Sequence, residues 1–222
     1  MITINAKGAL EEGNKVTAEP FWAKLISYIF HPVLMPVYAV AFLVFSNHAA
    51  FAGFDLSDKK RIVFIIFINI VLFPLITVGL LKALGFISSV YMPTQRDRII
   101  PYIACGIFYF WAYTVFRNQD QYPLILTAFL FGIFLSVSAA LIENIYFKVS
   151  MHAMGAGGVF GFFLMLAWKA ILPMGAALCA AILVAGLVCT ARLALSKHSN
   201  YDVYAGFFTG LICQVVAVNF IS

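Results

Sequence analysis

The chain has 222 residues, of which 64% are hydrophobic and only 10% charged, with a mean hydropathy of +0.99. Soluble domains are about half apolar and about a quarter charged, so a soluble globular enzyme is excluded, as are disordered and collagen-like chains. A formal charge of +5 and a pI near 9.0, without any basic run, exclude a nucleic-acid-binding protein and fit one beside anionic lipid or handling an anionic substrate.

Residues 1–19 form the only long polar stretch and read as a short mobile tail; they lack the basic start and immediate apolar core of a signal peptide. Residues 20–222 read as a single membrane domain. The first apolar run, Phe21 to Phe45, carries Pro32 and Pro36, which should kink or break it. After a polar connection from Ser46 to Arg61, the second run covers about Ile62 to Leu84. A charged loop, Met92 to Arg98, leads into the third, Ile99 to Phe116. The fourth runs from Pro123 to Ile142 and the fifth from His152 to Leu172. Pro173 turns the chain into the sixth, Met174 to Leu195, and Asp202 to Ile221 makes the seventh. The runs are continuously apolar and near the ~20 residues that cross a bilayer, whereas barrel strands would alternate in shorter segments. The expected fold is therefore an all-α, polytopic transmembrane bundle of six or seven spans, with a site at one membrane face. Gly157 with Gly161, and Gly206 with Gly210, are small-residue pairs that predict close helix packing in the fifth and seventh spans. Cys105, Cys179, Cys189 and Cys213 all lie in apolar stretches without a CxxC pair and read as small hydrophobes.

The connections after the second, fourth and sixth spans open on one side of the membrane. They bring Arg96, Asp97 and Arg98, then Lys148, Ser150 and His152, then Arg192, Lys197, His198 and Asp202 to that face. Ionisable groups beside a bilayer are candidate functional residues. In the last cluster His198 and Asp202 are four residues apart, so the carboxylate could hold one imidazole nitrogen and leave the other as a nucleophile toward phosphorus. Arg192 could grip phosphate oxygens with its planar fork. The plainer alternative makes Arg192 a basic helix end, His198 a loop residue and Asp202 a helix cap. In the second cluster Ser150 could offer a hydroxyl and His152 a proton at a glycine-rich helix start suited to an anion, with Lys148 as a further candidate. Here the alternative is a capping serine and an interfacial histidine.

Arg192, five residues, His198, three residues, Asp202 resembles the third signature of the type 2 phosphatidic acid phosphatase superfamily, whose pattern is Ser-Arg, five residues, His, three residues, Asp. Ser150 and His152 resemble the end of its second signature, Pro-Ser-Gly-His, with Val149 and Met151 in place of proline and glycine. The likeness covers about the last half of the chain. Ala191 stands where the third signature has serine, and the first signature, Lys, six residues, Arg-Pro, is not present: Pro101 follows Ile100, and Arg96 and Arg98 are read as its replacement charges.

The resemblance implies a metal-free lipid phosphatase needing no cofactor. His198 would be the nucleophile, Asp202 its orienting partner and His152 the general acid. Arg192, Arg96, Arg98 and Ser150 would bind the phosphate. The implied substrate is a phosphomonoester or diphosphate of a lipid, of the phosphatidate, phosphatidylglycerol phosphate, undecaprenyl diphosphate or lipid A type. The other partners expected are membrane lipids, with no nucleic acid. The implied setting is a bacterial inner membrane with the site facing the periplasm. Lys and Arg counts do not decide the side: nine lie on the site face and five opposite, but without the five in the site loops the balance is four to five. Three rivals use the same residues. A non-catalytic relative would bind or carry phosphorylated lipids. A small transporter would place its polar site nearer the midplane. A metal site from His152, His198 and Asp202 would fall short of a closed four-ligand set.

Overall fold

The structure, a computed structural model, describes residues 3–4, 10–11, 19–46, 49–169, 174–196 and 198–221. The predicted mobile tail lies almost wholly outside the described residues, as do Lys197 and the turn expected at Pro173. Two short strands, Thr3–Ile4 and Leu10–Glu11, pair antiparallel. Every other described element is helical: α1 (Phe21–Ile29), α2 (Met35–Ser46), α3 (Leu56–Phe67), α4 (Phe73–Ala83), α5 (Gln95–Arg117), α6 (Leu124–Glu143), α7 (Met151–Trp168), α8 (Gly175–Ala194) and α9 (Asn200–Ile221). A π-helical turn, Ile68–Leu72, joins α3 to α4 in one run. Pro74 follows it and lacks the amide that would bond Ile70, which a wider turn accommodates.

Among the described residues, six runs are long and apolar enough to cross a membrane: Leu56–Ala83, α5, α6, α7, α8 and α9. The protein is an all-α polytopic membrane bundle. Its outward faces carry large apolar side chains such as Leu75, Leu80, Ile107, Leu183 and Leu187, whose only stable surroundings are hydrocarbon. The first apolar run is not a seventh long helix. It breaks between Ile29 and Met35, because Pro32 cannot continue α1, and α2 restarts with Pro36 near its beginning, where a missing amide costs nothing.

The α7–α9 pair forms the tightest seam. A Cβ on Gly157 would strike the Phe207 carbonyl, and one on Gly210 the Met154 carbonyl. One on Gly206 would lie 2.7 Å from the Ser150 carbonyl, and one on Gly161 2.9 Å from the Leu211 backbone. Both predicted small-residue pairs thus let backbone meet backbone. On α9, Gln214 is 1% exposed, and its Nε2 donates to the Phe129 carbonyl of α6 at 3.2 Å. Its amide lies directly over Gly132, where a Cβ would collide with it.

At one end of the bundle the connections are tied together. Gln95 and Asn144 exchange side-chain to carbonyl hydrogen bonds, both 2.8 Å, and Lys148 Nζ donates to the Pro93 carbonyl at 2.7 Å. Helix α1 joins the same end, with Ala23 packed among Ala191 and Leu195 of the α8 terminus.

Candidate active site

Arg96, Asp97 and Arg98, expected in a loop, form the first turn of α5 instead. Thr94 accepts from the Asp97 amide at 3.2 Å while the Asp97 carboxylate accepts from the Thr94 amide at 3.4 Å, a capping box that starts the helix earlier than its apolar run. Asp97 also accepts from the amide and hydroxyl of Ser88, both 3.0 Å, so its charge is used locally. Two residues along a helix rotate a side chain by about 200°, and the two arginines diverge accordingly. Arg98 turns inward, its Nη1 donating to the Val149 carbonyl at 3.1 Å and its Nε to Met92 at 3.2 Å. Arg96 is exposed and, among the described residues, makes no hydrogen bond or ion pair. The structure brings Arg98 to the site and leaves Arg96 outside it.

The start of α7 supplies the second group. Ser150 occupies the N-cap position, but its hydroxyl does not cap: it is fully buried and, among the described residues, without a hydrogen-bond partner. Its amide donates to the Asp202 carbonyl at 3.1 Å, fastening α7 to the start of α9. His152 Nε2 donates to the Ser27 carbonyl of α1 at 3.1 Å. A carbonyl can only accept, so neutral His152 carries its proton on Nε2 and keeps a lone pair on Nδ1. The Lys148 amine is engaged by Pro93, while its carbonyl serves the third group.

Arg192, in the last turn of α8, is 8% exposed. Its Nη1 reaches the Ser27 hydroxyl at 3.5 Å, and its Nε is buried with no partner among the described residues. Past α8, Ser196 takes φ 52°, the left-handed conformation that ends a helix and reverses the chain. His198 follows, its side chain only 5% exposed.

The Asp202–His198 pairing expected from the sequence is not the one formed. His198 Nδ1 stands 4.0 Å from Asp202 Oδ2, beyond a hydrogen bond, and donates instead to the Lys148 carbonyl at 3.1 Å. Asp202 accepts from the Ser199 amide at 2.9 Å while Ser199 Oγ accepts from the Asp202 amide at 3.1 Å, a second capping box that opens α9. Helix capping won the carboxylate because Ser199 and Asp202 fall at the right spacing for it. The carbonyl still fixes the tautomer, leaving the lone pair on Nε2. Burial, then the charges of Arg192 and Arg98, push the His198 pKa down to about 4, against smaller lifts from the Lys148 carbonyl and Asp202. His198 is therefore neutral at pH 7.

Two residues of the site escaped the sequence reading. Ser27 of α1 bonds both His152 and Arg192. His31, in the break after α1, meets the His152 ring edge-on at 5.4 Å between centroids. The signal for both was the proline break, which frees α1 to fold against the ends of α7 and α8. Two guanidiniums, three imidazoles and two buried donors unpartnered among the described residues, the Arg192 Nε–H and the Ser150 hydroxyl, gather at one end of the bundle. Such a group favours an anion with several acceptor oxygens. Among the described residues, no three His, Cys, Asp or Glu side chains come together as a metal-binding set. In comparisons with known proteins, no family model, curated protein or solved structure matches the chain.

Proposed function

We propose that the protein is a metal-independent phosphatase of membrane lipids, working through a phosphohistidine. The observation that carries the reading is the state of His198: neutral, Nδ1–H held by the Lys148 carbonyl, Nε2 bearing the lone pair, within electrostatic reach of Arg98 and Arg192. An oriented, unprotonated imidazole beside paired guanidiniums is what attack on a phosphate ester requires. In the first step His198 Nε2 bonds to phosphorus and the P–O bond to the lipid breaks. His152 Nδ1, whose lone pair is free, takes the proton of a monoanionic phosphate ester and passes it to the leaving oxygen. Water then attacks phosphorus, His152 takes its proton, and the N–P bond breaks to release inorganic phosphate. Arg192 and Arg98, with the Ser150 hydroxyl, neutralise the equatorial oxygens. A bundle with its polar groups at one face suits a substrate whose tail stays in the bilayer. We place that face on the periplasmic side of a bacterial inner membrane; labelling of a cysteine at exposed Tyr91 in intact cells and in inverted vesicles reports the side.

The test is rapid-quench trapping with a panel of phosphate-labelled lipids, with and without excess EDTA. Wild type should form an acid-labile, base-stable phosphoprotein and release phosphate with chelator present, and His198→Ala should do neither. Loss of activity in EDTA with recovery on adding magnesium or zinc overturns the mechanism. One observation favours a second reading, a binding or carrier protein without turnover: Asp202 stands 4.0 Å from His198 and caps a helix instead. Binding of lipid phosphates with neither turnover nor trapping would establish that reading.

A further inference from the structure

The groups that would meet a phosphate are shut away. Arg192 is 8% exposed, the His198 side chain 5% and Ser150 not at all, so a headgroup can reach them only if an element moves. The spans that carry them are poor candidates, because α7 and α9 meet backbone to backbone. Helix α1 is different. It has nine residues, Pro20 at one end, a proline break at the other, and Ala23 as its one buried residue. A single residue of it, Ser27, occupies two members of the site at once, through its carbonyl on His152 Nε2 and its hydroxyl on Arg192 Nη1.

The other side of α1 shows what would pull it away. Phe21, Trp22, Leu25, Tyr28 and Ile29 recur at helical spacing and are 45 to 79% exposed, an apolar stripe that the described residues leave largely uncovered. Lys24 and the rings of Trp22 and Tyr28 are side chains that settle at the headgroup level. The helix packs on the terminus of α8, at the end of a membrane-crossing bundle. The surface that fits the stripe is therefore the lipid interface.

We propose that α1 is a lid seated in the membrane surface, latched over the site by Ser27 and lifted as a lipid phosphate headgroup takes over Arg192 and His152. The identity of that ligand rests on the phosphatase reading; the covering of the site does not. Closure would also keep soluble phosphate esters out, since only a ligand arriving within the interface displaces the stripe along with the latch.

The experiment uses the full chain in phosphatidylglycerol-containing vesicles, with the four native cysteines replaced and Ala23→Cys combined with Ala191→Cys. Carbethoxylation of His152 by diethyl pyrocarbonate, read by peptide mass spectrometry, measures access without requiring turnover, and hydrolysis of a lipid phosphate is followed in parallel. Oxidation should slow modification of His152 by about tenfold or more, because reaction tracks the open population, and reduction should restore it. Equal rates in the oxidised and reduced forms overturn the lid. Should the cysteine pair misfold or fail to cross-link, Ser27→Ala in the native chain removes the hydroxyl latch and should speed modification; an unchanged rate overturns the proposal there. A reversible block of modification with no hydrolysis of any lipid phosphate upholds the lid and rejects the phosphatase. Undiminished hydrolysis in the cross-linked form does the reverse.

Discussion

Along α7 and α9 the backbones touch, and Gly157, Gly161, Gly206 and Gly210 leave no room for a single added carbon. Helix α1, by contrast, meets the bundle through Ala23, Ile26 and Phe30 and through the polar bonds of Ser27. His152 stands between the two regions, fixed by its main chain to the rigid seam and tied by its ring to the light helix. Chemistry that needs reacting atoms placed to a fraction of an ångström gains from the first kind of support. Admission of a large ligand needs the second.

The largest effect is expected in the seam. Gly210→Leu would drive a side chain into the Met154 carbonyl and should cost about 3 kcal/mol or more, seen as a collapsed melting temperature in detergent. Gly79→Leu, on α4 with open space around it, should leave melting nearly unchanged. Next in size is the division between the arginines. Arg98→Ala should lower turnover of a lipid phosphate by about 10² to 10³, the usual loss for one charge-stabilising donor. Arg96→Ala should keep the rate within about twofold, as exposed side chains without partners generally do. Equal losses would mean that Arg96 swings in when substrate binds.

Asp202→Asn acts on the opening of α9, where that carboxylate accepts from the Ser199 amide. It should lower stability by only about 0.3–1 kcal/mol, because asparagine still offers the Ser199 amide an acceptor and only the negative charge at the helix start is lost. The accompanying rate loss should lie nearer 10-fold than the ~10⁴ typical where a carboxylate alone sets the tautomer. A loss of the larger size returns Asp202 to the role of orienting partner.

The smallest effect is on pH. His198 has its pKa lowered to about 4 in the fold against 6.5 when unperturbed, so between those values the unfolded chain binds the extra proton. Stability therefore falls as pH drops through that window and is fully present above it. The melting temperature should decline from pH 6.5 to 4 by more in wild type than in His198→Gln, and carbethoxylation of His198 should be half lost near pH 4.

The spans were legible because hydrophobicity over about 20 residues leaves lipid as the only solvent, and the glycine pairs because small-residue spacing survives any detail of packing. The meeting of three connections at one face followed from counting crossings, and hydrogen bonds from Lys148 to Pro93 and from Arg98 to Val149 join two of those connections. What composition could not show was competition for a single side chain. Asp202 had two partners in reach of its spacing, His198 at four residues and Ser199 at three, and the backbone amide took it. Arg96 and Arg98 look equivalent until Thr94 starts the helix early and sends them to opposite sides. Ser27 and His31 were hidden for another reason: a proline break tells where a chain bends, not which distant residues it bends toward.

The amide of Gln214 over Gly132 couples two helices in an unusual currency, the freedom of one position to vary. Any side chain at 132 must displace that amide, while a small residue such as alanine at 214 leaves a hollow above the glycine and takes the side-chain donor from the Phe129 carbonyl. The two sites therefore do not vary as independent positions: a larger residue at 132 calls for a smaller one at 214, and their combined effect on stability departs from the sum of the parts. In relatives of this chain, the pair should change together or not at all, and α6 and α9 should keep their relative height wherever the glutamine persists.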